Sequence, residues 1–189
     1  MPGVPFFTYI QHEQGQSWEW IDGSLEELPP LTPDQLYIKK YLLSLVGEYV
    51  EVNELGLVIP GPFIVRMPEE MHRGREPDLL FLPNEYVEAI EDNYVNSHGV
   101  GLVVEISGAK TRDRDHADKY DEYQMAGIPE YWIFDTERRQ AYFYVLREDN
   151  HYHAVEPDEK EVYHSTIIRG FELQVGSVWM NNRNPNEIP

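Results

Sequence analysis

Glu105 stands inside Gly101-Leu-Val-Val-Glu-Ile-Ser107, a run otherwise dominated by apolar, β-branched residues and bounded by Gly99 and Gly108. Such a run reads as a central strand buried on both faces. Taking an ionised carboxylate out of water there costs several kcal/mol unless a partner or a metal replaces the lost solvation. Asp78 is the natural companion: it follows Pro77 and opens a second apolar run, Leu79-Leu80-Phe81-Leu82. Proline favours extended backbone around it, which puts Asp78 at a strand end. Two adjacent strands would bring the acids together. Hard cations such as Mg²⁺ or Mn²⁺ are held by one or two carboxylates with water and substrate phosphates. A cation so held lowers the pKa of an attacking water and neutralises the charge that grows on a phosphodiester. The same residues also allow a structural account, a strand-end aspartate and a core salt bridge from Glu105 to Arg75 or Lys119.

The surrounding elements decide whether the acids meet. Near the start, WEWIDGSLEEL holds two short runs around Asp22-Gly23, a dipeptide suited to the positive φ angles of a tight turn, and predicts a β-hairpin. Thr32-Pro33-Asp34-Gln35 predicts a helix start with Thr32 as N-cap and Gln35 closing a capping box. Ile38, Tyr41, Leu42, Leu45 and Tyr49 then recur at helical spacing as far as about Val50, a stripe to be buried against a sheet. Strand-like runs follow at 57–60, 63–67, 79–82 and 101–107. From about Arg112 to Met125 the pattern is helical and ends at Ala126-Gly127, with Pro129 preventing resumption. Further strands are predicted at 131–135, 141–146, 151–155 and 172–175. Strand, helix, strand in this order predicts an α/β (α+β) domain with a mixed sheet over residues 1–180, and a loose tail over 181–189.

Composition removes several classes of function. The 189 residues have enough apolar material for a core, with 41% hydrophobic and 13% aromatic residues. No cysteine is present, which excludes disulfides, thiolate zinc sites and cysteine nucleophiles. His151 and His153 share a strand face but lack a third ligand of suitable spacing. A formal charge of −19 argues against a polyanion partner by composition alone. Yet seven of the 15 basic residues, Arg66, Arg73, Arg75, Lys110, Arg112, Arg114 and Lys119, fall in one stretch. They would make a locally positive rim above the acids, as phosphate contact requires. No apolar run approaches a membrane span and no signal segment opens the chain, so a cytoplasmic location is expected.

Arg73-Gly-Arg-Glu-Pro-Asp78, Val104-Glu105-Ile106-Ser107, then Asp115, Lys119, Tyr123 and Gly127-Ile-Pro-Glu-Tyr-Trp-Ile-Phe-Asp135 resemble the Uma family of restriction-endonuclease-like proteins, within the PD-(D/E)xK nucleases. The resemblance runs from Ile21-Asp22-Gly23 to Arg169-Gly170-Phe171. It implies a restriction-endonuclease-like fold, a four- to five-stranded mixed central sheet flanked by helices. It also implies metal-ligand roles for Asp78 and Glu105, with the Ile106 carbonyl as a backbone ligand. Ser107 takes the place where the superfamily usually has its lysine, and the lysine moves to the next helix, where Lys119 matches. Asp115, Lys119 and Tyr123 lie on one helical face. Glu27 matches the family's early acidic position, and Gln35 stands where the family often has histidine.

The expected activity is therefore Mg²⁺- or Mn²⁺-dependent hydrolysis of nucleic acid, DNA foremost, at Asp78, Glu105, Lys119 and Glu27, with Arg73, Arg75, Lys110, Arg112 and Arg114 touching phosphates. A homodimer is expected by analogy with enzymes that cut both strands. Two rival expectations are a catalytically silent nucleic-acid-binding or protein-interaction domain, favoured by the charge, and a carboxylate-pair hydrolase of another substrate.

Overall fold

The computed structural model describes residues 3–11 and 17–180, so the tail expected over 181–189 lies outside the described residues. A short helix α1 (Phe6–Tyr9) precedes the hairpin strands β1 (Trp18–Ile21) and β2 (Ser24–Glu27). Asp22 and Gly23 turn the hairpin with φ of 49° and 77°, the left-handed pair that Asp-Gly supplies at low cost. Helix α2 (Pro33–Val52) has the full capping box. Thr32 Oγ1 accepts from the Gln35 N–H, and the Gln35 side chain accepts from the Thr32 N–H. Its buried stripe differs from expectation. Ile38, Leu42, Val46 and Val50 are fully buried, while Tyr41, Leu45 and Tyr49 pack at the margin. The tyrosines stay there because their hydroxyls need partners: Tyr41 donates to Ser177 Oγ and Tyr49 to the Arg169 carbonyl.

Six strands follow: β3 (Gly56–Pro60), β4 (Ile64–Arg66), β5 (Arg73–Arg75), β6 (Leu79–Pro83), β7 (Tyr94–Asn96) and β8 (Leu102–Ser107). The segment read as one helix is two, α3 (Arg112–His116) and α4 (Asp118–Met125), broken at Ala117 with φ −122° and ψ −78°. An unbroken helix would pair the Asp115 carbonyl with the amide four residues on. Here that carbonyl accepts the Tyr131 hydroxyl at 2.9 Å. The chain closes with β9 (Glu130–Asp135), β10 (Gln140–Leu146), β11 (Tyr152–Ala154), β12 (Val162–His164), β13 (Glu172–Gln174) and α5 (Val175–Met180).

The central sheet has the order β11-β10-β9-β8-β6-β3, with β8 and β9 parallel and its other pairs antiparallel. It is the expected mixed sheet flanked by helices, but it has six strands rather than four or five. A second sheet, β2-β1-β5-β4-β7, extends the hairpin and takes up the run around Ile64 that the pattern alone assigned no separate place. Among the described residues no helix is long and apolar enough to cross a membrane.

Alternation along the strands divides the core into two faces. Leu79, Phe81, Leu102, Val104, Ile106, Trp132 and Phe134 pack with the buried stripe of α2. Leu80, Leu82, Val103, Tyr131 and Ile133 pack on the other side with Tyr123 of α4. Glu105, flanked by Val104 and Ile106, is thereby turned toward α4.

Candidate active site

The register of β6 on β8 sets Leu79 opposite Val104. Extending that register by one step sets Asp78 beside Glu105, Glu105 turned toward α4 and Asp78 reached by Lys39 of α2. Both are withdrawn from solvent, Glu105 at 4% exposure and the Asp78 side chain at 11%. Asp78 Oδ2 accepts the Ile106 N–H at 2.8 Å, and Oδ1 lies 3.3 Å from Lys39 Nζ. Glu105 Oε1 accepts from Lys119 Nζ and from the Tyr123 hydroxyl, each at 2.8 Å. Lys119 and Tyr123 are one turn apart on α4, so this helix face does return to the sheet. The Ile106 carbonyl accepts from Gln35 Nε2 at 2.7 Å, which ties the first turn of α2 to the same point.

Glu19, which the sequence reading passed over, is the acid the hairpin delivers. It is fully buried. Its Oε1 lies 2.8 Å from Lys119 Nζ, and its Oε2 lies 2.6 Å from Arg75 Nη1 and 3.6 Å from Arg114 Nη1. Lys119 therefore bridges two glutamates. Arg75 likewise bridges Glu19 and Glu122, the latter at 2.6 Å. The signal was present: an acid between Trp18 and Trp20 is as out of place as Glu105 in its strand. Glu27 lies one register pair away, opposite Trp18 rather than beside Glu19, and is exposed on an outer cleft. The structure does not bring it to Lys119.

The basic rim does not assemble as expected. Arg75 is 2% exposed and held by two glutamates, so its phosphate-contact assignment gives way to an internal ion pair. Arg73 pairs with Asp22 and Glu122 at 2.7 and 2.8 Å, Arg112 pairs with Asp135 at 2.8 Å, and Arg114 leans on Glu19 and Asp115. Lys110 remains exposed at the lip of the cavity. A chain of this acidity supplies carboxylates for nearly every arginine that approaches the sheet.

Asp78, Glu105, Asp115 and Lys119 line a cavity of about 210 Å³. It adjoins an outer cleft of about 500 Å³ bordered by Lys39, Gly61, Pro62 and Glu27, and residues 28–31, Glu76 and Asp78 belong to both. Burial pushes Glu105 up to about 8, against the pull of Lys119 and with help from Asp115, Asp78 and Glu19. Burial also opposes the charge of Glu19, but Lys119, Arg75 and Arg114 bring it down to about 2. Burial works against the Lys119 charge, and Glu105 and Glu19 outweigh it and keep the amine protonated. Of the two carboxylates on Lys119, Glu19 is therefore the more firmly ionised, while burial favours the neutral form of Glu105. Burial raises Asp78 despite Lys39 and the Ile106 N–H, and raises Glu76 to about 7 despite the Tyr9 hydroxyl.

These shifts set a pH dependence of stability with two limbs. Glu19 is depressed from 4.5 to about 2, so its contribution is complete above 4.5 and is lost as the pH falls toward 2. Glu105 and Glu76 are raised from 4.5 to about 8 and 7, so theirs is complete below 4.5 and is lost as the pH rises through those values. Thermal melts of the metal-free protein should show stability declining from pH 5 to pH 9, less steeply in Glu105→Gln. A profile flat over that range, or equally steep in the variant, would contradict the assignment.

Among the described residues no three His, Cys, Asp or Glu side chains form a metal-holding cluster. The donors at the strand pair are all oxygen: two carboxylates and, beside them, the Ile106 carbonyl. A cavity adjoins them with room for water. That set suits a hard cation completed by water and phosphate rather than a softer metal that needs imidazole or thiolate.

No curated protein matches this sequence. A solved structure that resembles the chain is "a putative nuclease belonging to DUF820 from Anabaena variabilis", with a TM-score of 0.74 and 12% identity, covering 92% of this chain and 96% of that one. At that identity the likeness establishes the fold. A family model described as "Uma2: Putative restriction endonuclease" matches residues 5–176. The match takes in the hairpin that carries Glu19, both strands of the acid pair and the helix of Lys119, and the chain therefore belongs to the Uma2 family.

Proposed function

We propose that the protein is a metal-dependent endonuclease of PD-(D/E)xK type that hydrolyses phosphodiester bonds of nucleic acid, DNA foremost. Mg²⁺ or Mn²⁺ would be held by Asp78, Glu105 and the Ile106 carbonyl. The observation that most supports this is the convergence of an amine and two carboxylates on one cavity, with Lys119 Nζ 2.8 Å from Glu105 Oε1 and Asp78 beside them. A bound cation would supply Lewis acidity toward water and phosphate. To hold the cation Glu105 would have to be ionised, the form that the Lys119 charge favours. Tyr123 and Lys119 together orient the Glu105 carboxylate. Because Glu105 and Glu19 keep Lys119 protonated, the amine acts as a hydrogen-bond donor to the water or to charge growing on phosphate, not as the base. Cutting both strands of a duplex calls for two such sites, hence a homodimer.

Plasmid and oligonucleotide cleavage in Mg²⁺ and Mn²⁺ tests the assignment. The parent should cut, and Asp78→Asn should lose at least about a hundredfold in rate. Unchanged cleavage by the variant would remove Asp78 from the site. One observation favours a silent nucleic-acid-binding or protein-interaction domain instead: the carboxylates already have internal cations, in a chain of charge −19. Calorimetric titration with Mn²⁺ separates the two, since binding should vanish in Glu105→Ala for the nuclease and heats should be equal for the silent domain.

A further inference from the structure

Lys39 lies on α2 one turn beyond Gln35, on the same helix face. Its Nζ lies 3.3 Å from Asp78 Oδ1 and donates to the Gly61 carbonyl at 3.1 Å. Its side chain is 17% exposed and borders the outer cleft beside Asp78. Of the other cations, Lys110 is exposed at the lip of the inner cavity, and three are pinned. Lys119 is 1% exposed between Glu19 and Glu105, Arg75 is 2% exposed between Glu19 and Glu122, and Arg114 is drawn to Glu19 and Asp115. Lys39 differs from these three in having, among the described residues, one charged partner, Asp78, and otherwise a neutral carbonyl.

A divalent cation and a lysine ammonium compete for the same carboxylate. If Asp78 turns to a metal, Lys39 loses its counter-ion and remains a charged amine at the mouth of the cleft, on a flexible four-carbon stem. An anion drawn to the metal would be the group within its reach. We propose that Lys39 is the amine that receives the substrate phosphate, and that its bond to Asp78 is a resting contact given up when the metal arrives. This rests on the nuclease reading above. It differs from a permanent salt bridge tying α2 to β6 in the sign of its consequence for metal binding: a permanent tie supports the site, whereas a competing amine opposes the metal.

The test is Mn²⁺ calorimetry together with fluorescence anisotropy of a short labelled duplex, the latter in Ca²⁺ so that the duplex stays uncut. Lys39→Met should bind Mn²⁺ more tightly than the parent, by about fivefold for the loss of a competing partly exposed charge. It should bind the duplex more weakly, by about tenfold for one charge-assisted hydrogen bond. Lys39→Arg should return both values toward the parent. Lys39→Gln carries the same test if a thermal melt shows Lys39→Met to be unfolded. Equal or weaker Mn²⁺ binding in the variant beside normal binding in the parent overturns the proposal alone, as does an unchanged duplex affinity. A parent chain that takes up no Mn²⁺ overturns the nuclease reading and this inference with it.

Discussion

Glu19→Gln should destabilise the metal-free protein by about 3–5 kcal/mol in urea unfolding, the cost of removing one partner from a buried ion pair. Glu105→Gln, on the same lysine, should cost little at pH 7. Both side chains are buried on Lys119 at 2.8 Å, so distance alone gives no ground for a difference. The electrostatics do. Glu19 faces Lys119, Arg75 and Arg114 and is held down at about 2, so its charge is part of the folded state at every ordinary pH. A neutral amide there leaves Lys119 and Arg75 short of a counter-charge and forces Glu105 to ionise in their place. Glu105 is pushed up to about 8 by burial, which favours its neutral form, and glutamine mimics that form in shape and charge. Equal losses in the two variants would show that the Lys119 charge is shared rather than assigned to Glu19. In the presence of Mn²⁺ the ranking should change, because Glu105→Gln forfeits the stabilisation a bound cation would add.

Glu130→Ala should cost on the order of 4 kcal/mol, the result of stranding several buried donors at once. Glu130 is fully buried at the start of β9. Oε1 accepts from Trp132 Nε1 at 2.7 Å and from the Tyr163 hydroxyl. Oε2 accepts from Ser165 Oγ, Thr166 N–H and Oγ1, and the Ile167 N–H, each at 3.0 Å. Every one of these donors is a neutral protein group, and together they bind the loop after β12 to the central sheet. Glu130→Gln should also destabilise, since its amide would point N–H groups at other donors. Urea unfolding measures both, and a loss below about 1 kcal/mol would mean that water takes over the bonds. Mn²⁺ heats per folded molecule should stay at the parent value. Glu105 and Glu130 are thus two buried strand glutamates with different work. One meets a lysine, a tyrosine and a cavity, and the other is consumed by a ring of backbone, hydroxyl and indole donors.

Much of the fold was legible because the relevant physics is local. Asp22-Gly23 can adopt the turn, Thr32 and Gln35 can cap each other, and period-two and period-3.6 patterns mark faces whatever lies beyond them. The acid pair was legible for a related reason: a charge in an apolar strand is costly wherever the strand goes, so Glu105 had to have a partner. The same rule applied to Glu19 would have found it between its two tryptophans. The arginines were misplaced because a cation's neighbours are not encoded near it. Arg75 meets Glu19 and Glu122 only when β1, β5 and α4 pack together, and of the seven basic residues expected to form the rim, Arg73, Arg75, Arg112, Arg114 and Lys119 are taken up by carboxylates.

The break at Ala117 has a similar origin, since the hydroxyl that takes the Asp115 carbonyl comes from β9. Element types, the strand carrying Glu105, the strand end carrying Asp78 and the helix face carrying Lys119 all follow from short-range pattern, where covalent geometry limits the choices. Which carboxylate on Lys119 is the more firmly ionised and which lysine rests on Asp78 follow only from assembly. Coulomb energies and desolvation in a buried site change steeply over a few ångströms, and those distances are set by the register of strands that are remote in the chain.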